Sequence, residues 1–147
     1  MSSRTENPQL VAERVRDGMF AEDAAARGLE MAFLAVGPGY ARMSMPVRSH
    51  MLNGFKICHG GYIATLADTA FAYACNSYNE QTVASGISVD FVAPGREGDL
   101  LVAEAREIAL SGRTGVYDVS VTNGKGEVIA VMRGKSYRLK GKVVVPQ

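Results

Sequence analysis

The chain has 147 residues, 47% of them apolar, and a formal net charge of +1. This size and composition predict one globular domain over residues 1–147. The nearly neutral balance favours neither nucleic acid nor an anionic membrane as a partner. The polar start MSSRTENPQ lacks the apolar region of a signal peptide, and Cys58 and Cys75 are too few for a disulfide framework. We therefore expect a cytoplasmic protein.

The N-terminal segment, about residues 7–28, is expected to be helical. Asn7-Pro8 has the pattern of an N-cap followed by proline at the first helical position. A second short helix is predicted over 21–27, with Gly28 as its stop signal.

The predicted core, about residues 29–139, alternates between strand and helix patterns. Two strands are expected between 29 and 47, around the turn Gly37-Pro38-Gly39. A loop and a long helix follow, and then strands at 87–91, 100–110, 116–122 and 127–139. The tail from residue 140 is expected to be a partly ordered extension. This order predicts an α+β fold, with a curved antiparallel six-stranded sheet around one long helix. One helix covers too little of such a sheet, so self-association is expected.

The stretch around which the chain is organised is NGFKICHGGYIATLADTAFAYACNS, residues 53–77. From Ile63 its apolar residues recur at helical spacing, and the other positions are almost as apolar, which predicts a buried helix. Asp68 is the only charged side chain between Lys56 and Glu80. A buried, isolated carboxylate is costly, so Asp68 is a candidate functional residue. The alternative is an ordinary residue on a polar helix face.

Gly60 and Gly61 stand at the predicted start of this helix. The first turn of a helix has free backbone N–H groups and the positive end of the helix dipole. Glycine also lets another molecule approach the backbone closely. Such an end can bind a carbonyl oxygen that becomes an oxyanion, which together with Asp68 suits acyl transfer. The alternative is a tight turn without a ligand.

The motif N-G-x4-HGG-x4-LADTAFAYACN, which starts at Asn53, resembles the hotdog-fold acyl-CoA thioesterases. The phenylacetic-acid-degradation thioesterases are the most similar group, and SGISVDFVAPGREGD, GRTGVYDVSV and RGKSY also resemble them. The likeness covers about residues 19–139. It implies a hotdog subunit and a homotetramer built as a dimer of dimers. It also implies hydrolysis of phenylacetyl-CoA or ring-hydroxylated phenylacetyl-CoA.

The resemblance also implies roles for individual residues. Asp68 becomes the nucleophile or the general base, and both roles stay open. The Gly60 N–H becomes the oxyanion donor, while Asn53 and His59 brace the loop or touch the thioester. The implied substrate-binding residues are Gly61, Thr69, Ser88, Arg113, Thr114 and Gly115. No cofactor is expected, because CoA is part of the substrate, and no metal, because the histidines and cysteines lack a zinc-like spacing.

Gly60 and Asp68 are eight residues apart, a rise of about 12 Å in a helix. We therefore expect the site to combine these groups from two chains of an antiparallel dimer. His59 is expected to act as a neutral brace or as an acid, and Cys58 as a buried thiol rather than a nucleophile. The basic residues that could bind CoA phosphates, or simply be solvated, are Arg96, Arg113, Arg133, Lys135, Arg138, Lys140 and Lys142.

Two other functions remain open from the sequence. A hotdog hydratase generally needs a paired acid and base, and no Asp-x4-His is present. A non-catalytic acyl-CoA-binding module would keep the glycines and the basic residues but would not need Asp68. The presence of Asp68 favours the hydrolase.

Overall fold

The computed structural model describes residues 6–146; the first five residues and Gln147 lie outside the described part. Helix α1 spans Pro8–Glu22 and helix α2 spans Ala24–Gly28. Asn7 caps α1 as predicted, because its Oδ1 accepts a hydrogen bond from the Gln9 N–H at 2.8 Å. The predicted start of the second helix was wrong. Asp23 Oδ1 accepts from the Ala26 N–H at 3.1 Å and fixes the start of α2 after Asp23.

Six strands form one antiparallel sheet in the order β1-β2-β4-β5-β6-β3. Their bounds are Ala32–Gly37 (β1), Tyr40–Pro46 (β2), Thr82–Phe91 (β3), Leu100–Ser111 (β4), Thr114–Thr122 (β5) and Val128–Arg138 (β6). The predicted α+β hotdog architecture is confirmed.

Strand β3 begins at Thr82, earlier than the predicted residue 87. The side-chain amide of Asn76 pairs with the backbone of Thr82 in both directions, at 2.9 and 3.0 Å. The pairing with β6 shifts register between Ala84 and Gly86. This irregularity interrupts the alternation of apolar and polar residues, so the first half of the strand lacks the expected pattern.

Helix α3, Gly60–Asn76, packs across the inner face of the sheet. Its fully buried side chains include Leu66 and Phe71, and the Phe71 ring meets Tyr117 of β5 edge to face at 5.4 Å. The helix approaches β6 at Gly134, where an added Cβ atom would lie 2.8 Å from the Phe71 ring. Glycine at this position therefore sets the distance between helix and sheet. A 3-10 turn, Ser49–Met51, leads towards the start of α3.

One face of the chain is left uncovered by the helices and strands that the structure describes. Strand β3 is an edge strand, and Ile87 and Phe91 on its helix-facing side are 47% and 54% exposed. Beside it, α3 exposes a stripe that contains Thr65 and Asp68. The expectation that Asp68 is buried was wrong for the single chain, because no element formed by residues 6–146 covers this stripe.

The C-terminal segment 139–146 returns along the end of α3. The backbone N–H groups of Val144 and Val145 donate to Asn79 Oδ1 at 3.1 and 2.9 Å, and the Pro146 carbonyl accepts from Arg14 of α1 at 2.7 Å. The predicted tail is thus tied to the body of the protein. Within the described part of the chain, none of the helices has the length and apolar character needed to cross a membrane.

Candidate active site

The N-terminus of α3 presents one unused backbone donor. His59 is the N-cap, and its Nδ1 accepts a hydrogen bond from the Gly61 N–H at 3.4 Å. The imidazole thus holds the first turn of the helix, and this geometry fits the role of a brace. Within residues 6–146, the Gly60 N–H has no acceptor. It lies at the positive end of a 17-residue helix, where a carbonyl oxygen can bind.

The loop before α3 is held in place by Asn53. Its Oδ1 accepts from the Phe55 N–H at 2.9 Å and from the Ile57 N–H at 3.4 Å, and its own N–H donates to the Ile57 carbonyl at 2.8 Å. These bonds close the loop on itself. Asn53 therefore acts as a brace, while its side chain also lines the cavity in front of Gly60.

This cavity has a volume of about 420 Å³ and is largely apolar. Besides Asn53 and Gly60 it is lined by Ile57, Cys58, Ile63, Phe91, Val92, Ala93 and Pro94. The Phe91 ring lies so close to Gly60 that a Cβ atom at residue 60 would be 2.9 Å from Phe91 Cζ. Glycine is therefore the residue that leaves both the backbone donor and the aromatic ring accessible.

Asp68 lies two turns further along α3, on the exposed stripe. Desolvation by burial raises the pKa of its carboxyl above that of a free aspartate, although part of the side chain is exposed. Thr65 and Thr69 flank it, and each hydroxyl donates to the carbonyl four residues earlier, at 2.8 and 2.6 Å. Among residues 6–146, no side-chain hydrogen bond engages the Asp68 carboxylate. It is thus free to contact a substrate or a water molecule.

The two cysteines are buried thiols. Burial raises the pKa of Cys58 and raises the pKa of Cys75 to about 12, so neither forms a thiolate readily. The Cys58 thiol contacts the His59 carbonyl at 3.6 Å, whereas the His59 imidazole faces the Gly61 N–H. The geometry therefore gives no support to a cysteine–histidine pair.

Four of the predicted substrate-binding residues lie away from this cavity. Ser88 pairs with Arg133 of β6 on the outer face of the sheet, opposite to α3. Arg113, Thr114 and Gly115 lie at the turn between β4 and β5, at the end of the sheet where α3 terminates. Within one chain they are thus separated from Gly60 by the length of the helix. Gly61 and Thr69 lie on the same helix as Gly60 and Asp68.

Sequence reasoning missed the wall of the cavity, above all Phe91. The alternation of Ile87, Val89 and Phe91 puts these three side chains on one face of β3, and this signal was available. It did not show that the ring would lie against Gly60, because this contact joins two distant segments of the chain.

A sheet wrapped around one helix, with a free N–H at the helix start and a carboxylate with a raised pKa two turns later, defines a hydrolase of the hotdog class. Its groups suit a thioester, because the thiolate leaves without a strong general acid. Among residues 6–146, no cluster of histidine, cysteine, aspartate or glutamate could hold a metal ion.

Comparison with known proteins identifies the family. Residues 55–130 match the model of the Thioesterase superfamily. The acyl-coenzyme A thioesterase PaaI of Escherichia coli K12 is 43% identical over 125 residues, which cover 85% of this chain and 89% of that protein. The chain therefore belongs to the thioesterase superfamily, and it is a thioester hydrolase.

Solved structures agree with this assignment. The structure of E. coli PaaI, from the phenylacetic acid degradation operon, has a TM-score of 0.91 at 40% identity and covers 92% of this chain and 99% of that one. A mutant form of the phenylacetic acid degradation protein PaaI from Thermus thermophilus has a TM-score of 0.76 at 34% identity, covering 80% and 100%. The smu.793 protein of Streptococcus mutans, bound to acetyl CoA, has a TM-score of 0.73 at 25% identity, covering 76% and 90%.

Proposed function

We propose that this enzyme hydrolyses acyl-CoA thioesters, with phenylacetyl-CoA or a ring-hydroxylated phenylacetyl-CoA as the substrate. The observation that carries the proposal is the free Gly60 N–H at the start of α3, which opens into an apolar cavity. Two relatives support the substrate class. E. coli PaaI is named an acyl-coenzyme A thioesterase, and the S. mutans protein was solved with acetyl CoA.

The chemistry divides between two groups. The Gly60 N–H donates to the thioester oxygen and stabilises the negative charge that develops as the carbonyl is attacked. Asp68 either takes a proton from an attacking water molecule or attacks the carbonyl itself. In the second route the acyl group passes to the carboxylate as an anhydride, CoA leaves as a thiolate, and water then hydrolyses the anhydride. No cofactor takes part in either route.

The two groups come from different chains in this proposal. Gly60 and Asp68 of one α3 helix are about 12 Å apart along the axis, too far for one carbonyl to contact both. An antiparallel two-fold dimer brings Asp68 of one chain to Gly60 of the other. The exposed stripe on α3 and the adjacent edge strand β3 supply the uncovered face that such a dimer needs. We further propose that two dimers form a tetramer, which light scattering coupled to size exclusion can measure.

The acyl group would occupy the cavity in front of Gly60. Its volume of about 420 Å³ and its apolar wall suit a small aromatic acyl group, and the Phe91 ring offers an edge or a face to a phenyl substituent. A carboxylate or a long polar group would be desolvated there without a charged partner. This favours arylacetyl groups over charged acyl groups.

The direct test is a panel of acyl-CoA thioesters with detection of the released thiol. Phenylacetyl-CoA and its ring-hydroxylated forms should give the highest kcat/KM, ahead of benzoyl-CoA and straight-chain acyl-CoA. Asp68→Asn should fold, bind substrate and lose most turnover, because the amide is nearly isosteric but neither attacks nor accepts a proton. Retention of more than about a tenth of kcat, a barrier change below roughly 1.4 kcal/mol, would remove Asp68 from the mechanism.

The shared site has its own test. Asp68→Asn and Gly60→Pro chains, each inactive alone, are co-expressed with different tags, and the heterodimer is isolated. It carries one site with both defects and one intact site, so turnover per dimer should be near half of the wild-type value. A folded heterodimer as inactive as its parents would contradict the shared site.

A further inference from the structure

One aromatic side chain stands at the tip of the loop that leads into α3. Phe55 is 87% exposed, more than any other large apolar side chain in the part of the chain that the structure describes. Its neighbours Gly54 and Lys56 are exposed as well, so the whole tip faces solvent. A single exposed apolar side chain is ordinary on a protein surface. What distinguishes Phe55 is the bonding of its loop and the place that the loop occupies.

The loop fixes the position from which the ring extends. The backbone N–H groups of Phe55 and Lys56 both donate to Asn53, to its Oδ1 at 2.9 Å and to its carbonyl at 3.0 Å. Leu52 and Cys58 form a β-bridge that closes the base of the loop. Lys56 adopts a left-handed conformation, with φ 60°, which turns the chain back directly after Phe55. The ring is therefore presented to solvent by a closed, internally bonded turn.

This turn lies at the rim of the apolar cavity that the acyl group would occupy. Asn53 and Ile57, two residues before and two residues after Phe55, both line the cavity. Two residues span at most about 7 Å, so the Phe55 Cα atom lies within that distance of both. Phe91 and Val92 also line the cavity, and they are 54% and 63% exposed. Three exposed apolar side chains thus stand around one opening.

We propose that Phe55 determines acyl specificity by closing over the distal end of a bound aryl group. This inference rests on the proposed function, in which the thioester carbonyl lies at Gly60 and the acyl group fills the cavity. An exposed side chain exchanges rapidly between rotamers, so the Phe55 ring can turn from solvent onto a bound aryl group. Both apolar surfaces then leave water, and the two rings gain the attraction of an aromatic pair.

The cover distinguishes acyl groups by their length. An acetyl group ends one bond beyond the carbonyl carbon and stays beside Gly60, whereas the ring of an arylacetyl group extends past the methylene group towards the rim. The contact with Phe55 is equally strong in the bound thioester and in its transition state, because the distal ring takes no part in the reaction. It therefore lowers KM and leaves kcat unchanged. Phe55 is thus a substrate-binding residue.

The test compares phenylacetyl-CoA with acetyl-CoA by release of thiol. Phe55→Ala should raise KM for phenylacetyl-CoA about fivefold to tenfold and leave kcat within about twofold of wild type. Phe55→Tyr keeps the ring and should restore KM to within about twofold of wild type. Leu34→Ala is the matched control, because Leu34 is also exposed but lies on β1, at the opposite edge of the sheet from β3. It should leave KM for both thioesters unchanged.

Acetyl-CoA reports on the rest of the site. Its KM, or its inhibition constant against phenylacetyl-CoA if its turnover is slow, should stay within about twofold of wild type in Phe55→Ala. An equal loss for both thioesters would overturn the inference, because it would place Phe55 at the thioester and not at the end of the acyl group.

The partner chain is a different cover for the ring, and sizing separates the two. If Phe55 packs on the partner, Phe55→Ala should weaken association of the chains and lower turnover of both thioesters, which would also overturn the inference. Light scattering at the assay concentration measures association, and circular dichroism checks the fold. A KM for phenylacetyl-CoA within about twofold of wild type in the folded alanine variant would overturn it as well. Failure of the wild type to release thiol from any acyl-CoA would instead refute the proposed function.

Discussion

Replacement of Gly60 by proline removes the proposed oxyanion donor and leaves the other groups of the site in place. Gly60 is the first residue of α3, a position where proline is well tolerated because its missing N–H has no partner within the helix. His59 has φ −61° and ψ 134°, an extended conformation that proline allows in the preceding residue. Gly60→Pro should therefore keep the fold while it removes the donor.

Loss of one oxyanion donor lowers kcat by about 10²–10³-fold, roughly 3–4 kcal/mol in the barrier. The matched control is Gly60→Ala, because its Cβ meets the Phe91 ring at the same 2.9 Å but leaves the N–H in place. The exposed Phe91 ring can move aside, so the alanine variant should lose far less. Steady-state release of thiol, with circular dichroism and sizing as controls for the fold, measures both. If the folded proline variant turns over within about threefold of the alanine variant, Gly60 is a turn residue and not a donor.

Four further predictions concern the core and the titrating groups. Asp68 must be ionised to act, and burial raises its pKa. As the pH decreases, kcat/KM should therefore fall with an apparent pKa above that of free aspartate. An apparent pKa equal to that of free aspartate would contradict this prediction. Since the folded state favours the protonated form, Asp68→Asn should raise Tm at neutral pH, and an unchanged or lower Tm would count against desolvation. Gly134→Ala should lower the free energy of unfolding by about 1–3 kcal/mol through overpacking on Phe71, whereas Gly28→Ala, which meets no neighbour, should be nearly neutral in chemical denaturation. Cys58→Ala should keep kcat within about threefold of the wild-type value, because the thiol is buried and does not contact the His59 imidazole. A loss of about 10²-fold in kcat would instead support Cys58 as a nucleophile.

The central helix and its glycines could be predicted because their signals are local. Helical spacing from Ile63, together with a glycine pair directly before it, determines both the element and its start. The start of the second helix could not be located in the same way, because it depends on a hydrogen bond from Ala26 to Asp23. The early start of β3 likewise depends on the amide of Asn76, which acts six residues away.

The environment of the site residues was harder to predict than their identity. An apolar sequence around Asp68 indicates that this surface avoids water, but not whether its own chain or another one covers it. The position of Ser88 had the same difficulty. Strand alternation places its side chain opposite to those of Ile87 and Val89, but only the packing of α3 on the sheet shows which side faces the helix. Phe91 and Gly60 are distant in the sequence, so no local sequence pattern predicts their contact.

The uncovered face that β3 shares with α3 also affects how the enzyme is measured. A site completed by a second chain exists only in the associated fraction, so activity per chain should rise with protein concentration and then level off. The concentration at half-maximal activity would report the affinity of one chain for another. An isolated chain would also present the free N–H and C=O groups of an edge strand, which favours aggregation. If the proposed shared site is correct, dilution changes catalytic competence and solubility together, and each rate constant belongs to a stated chain concentration.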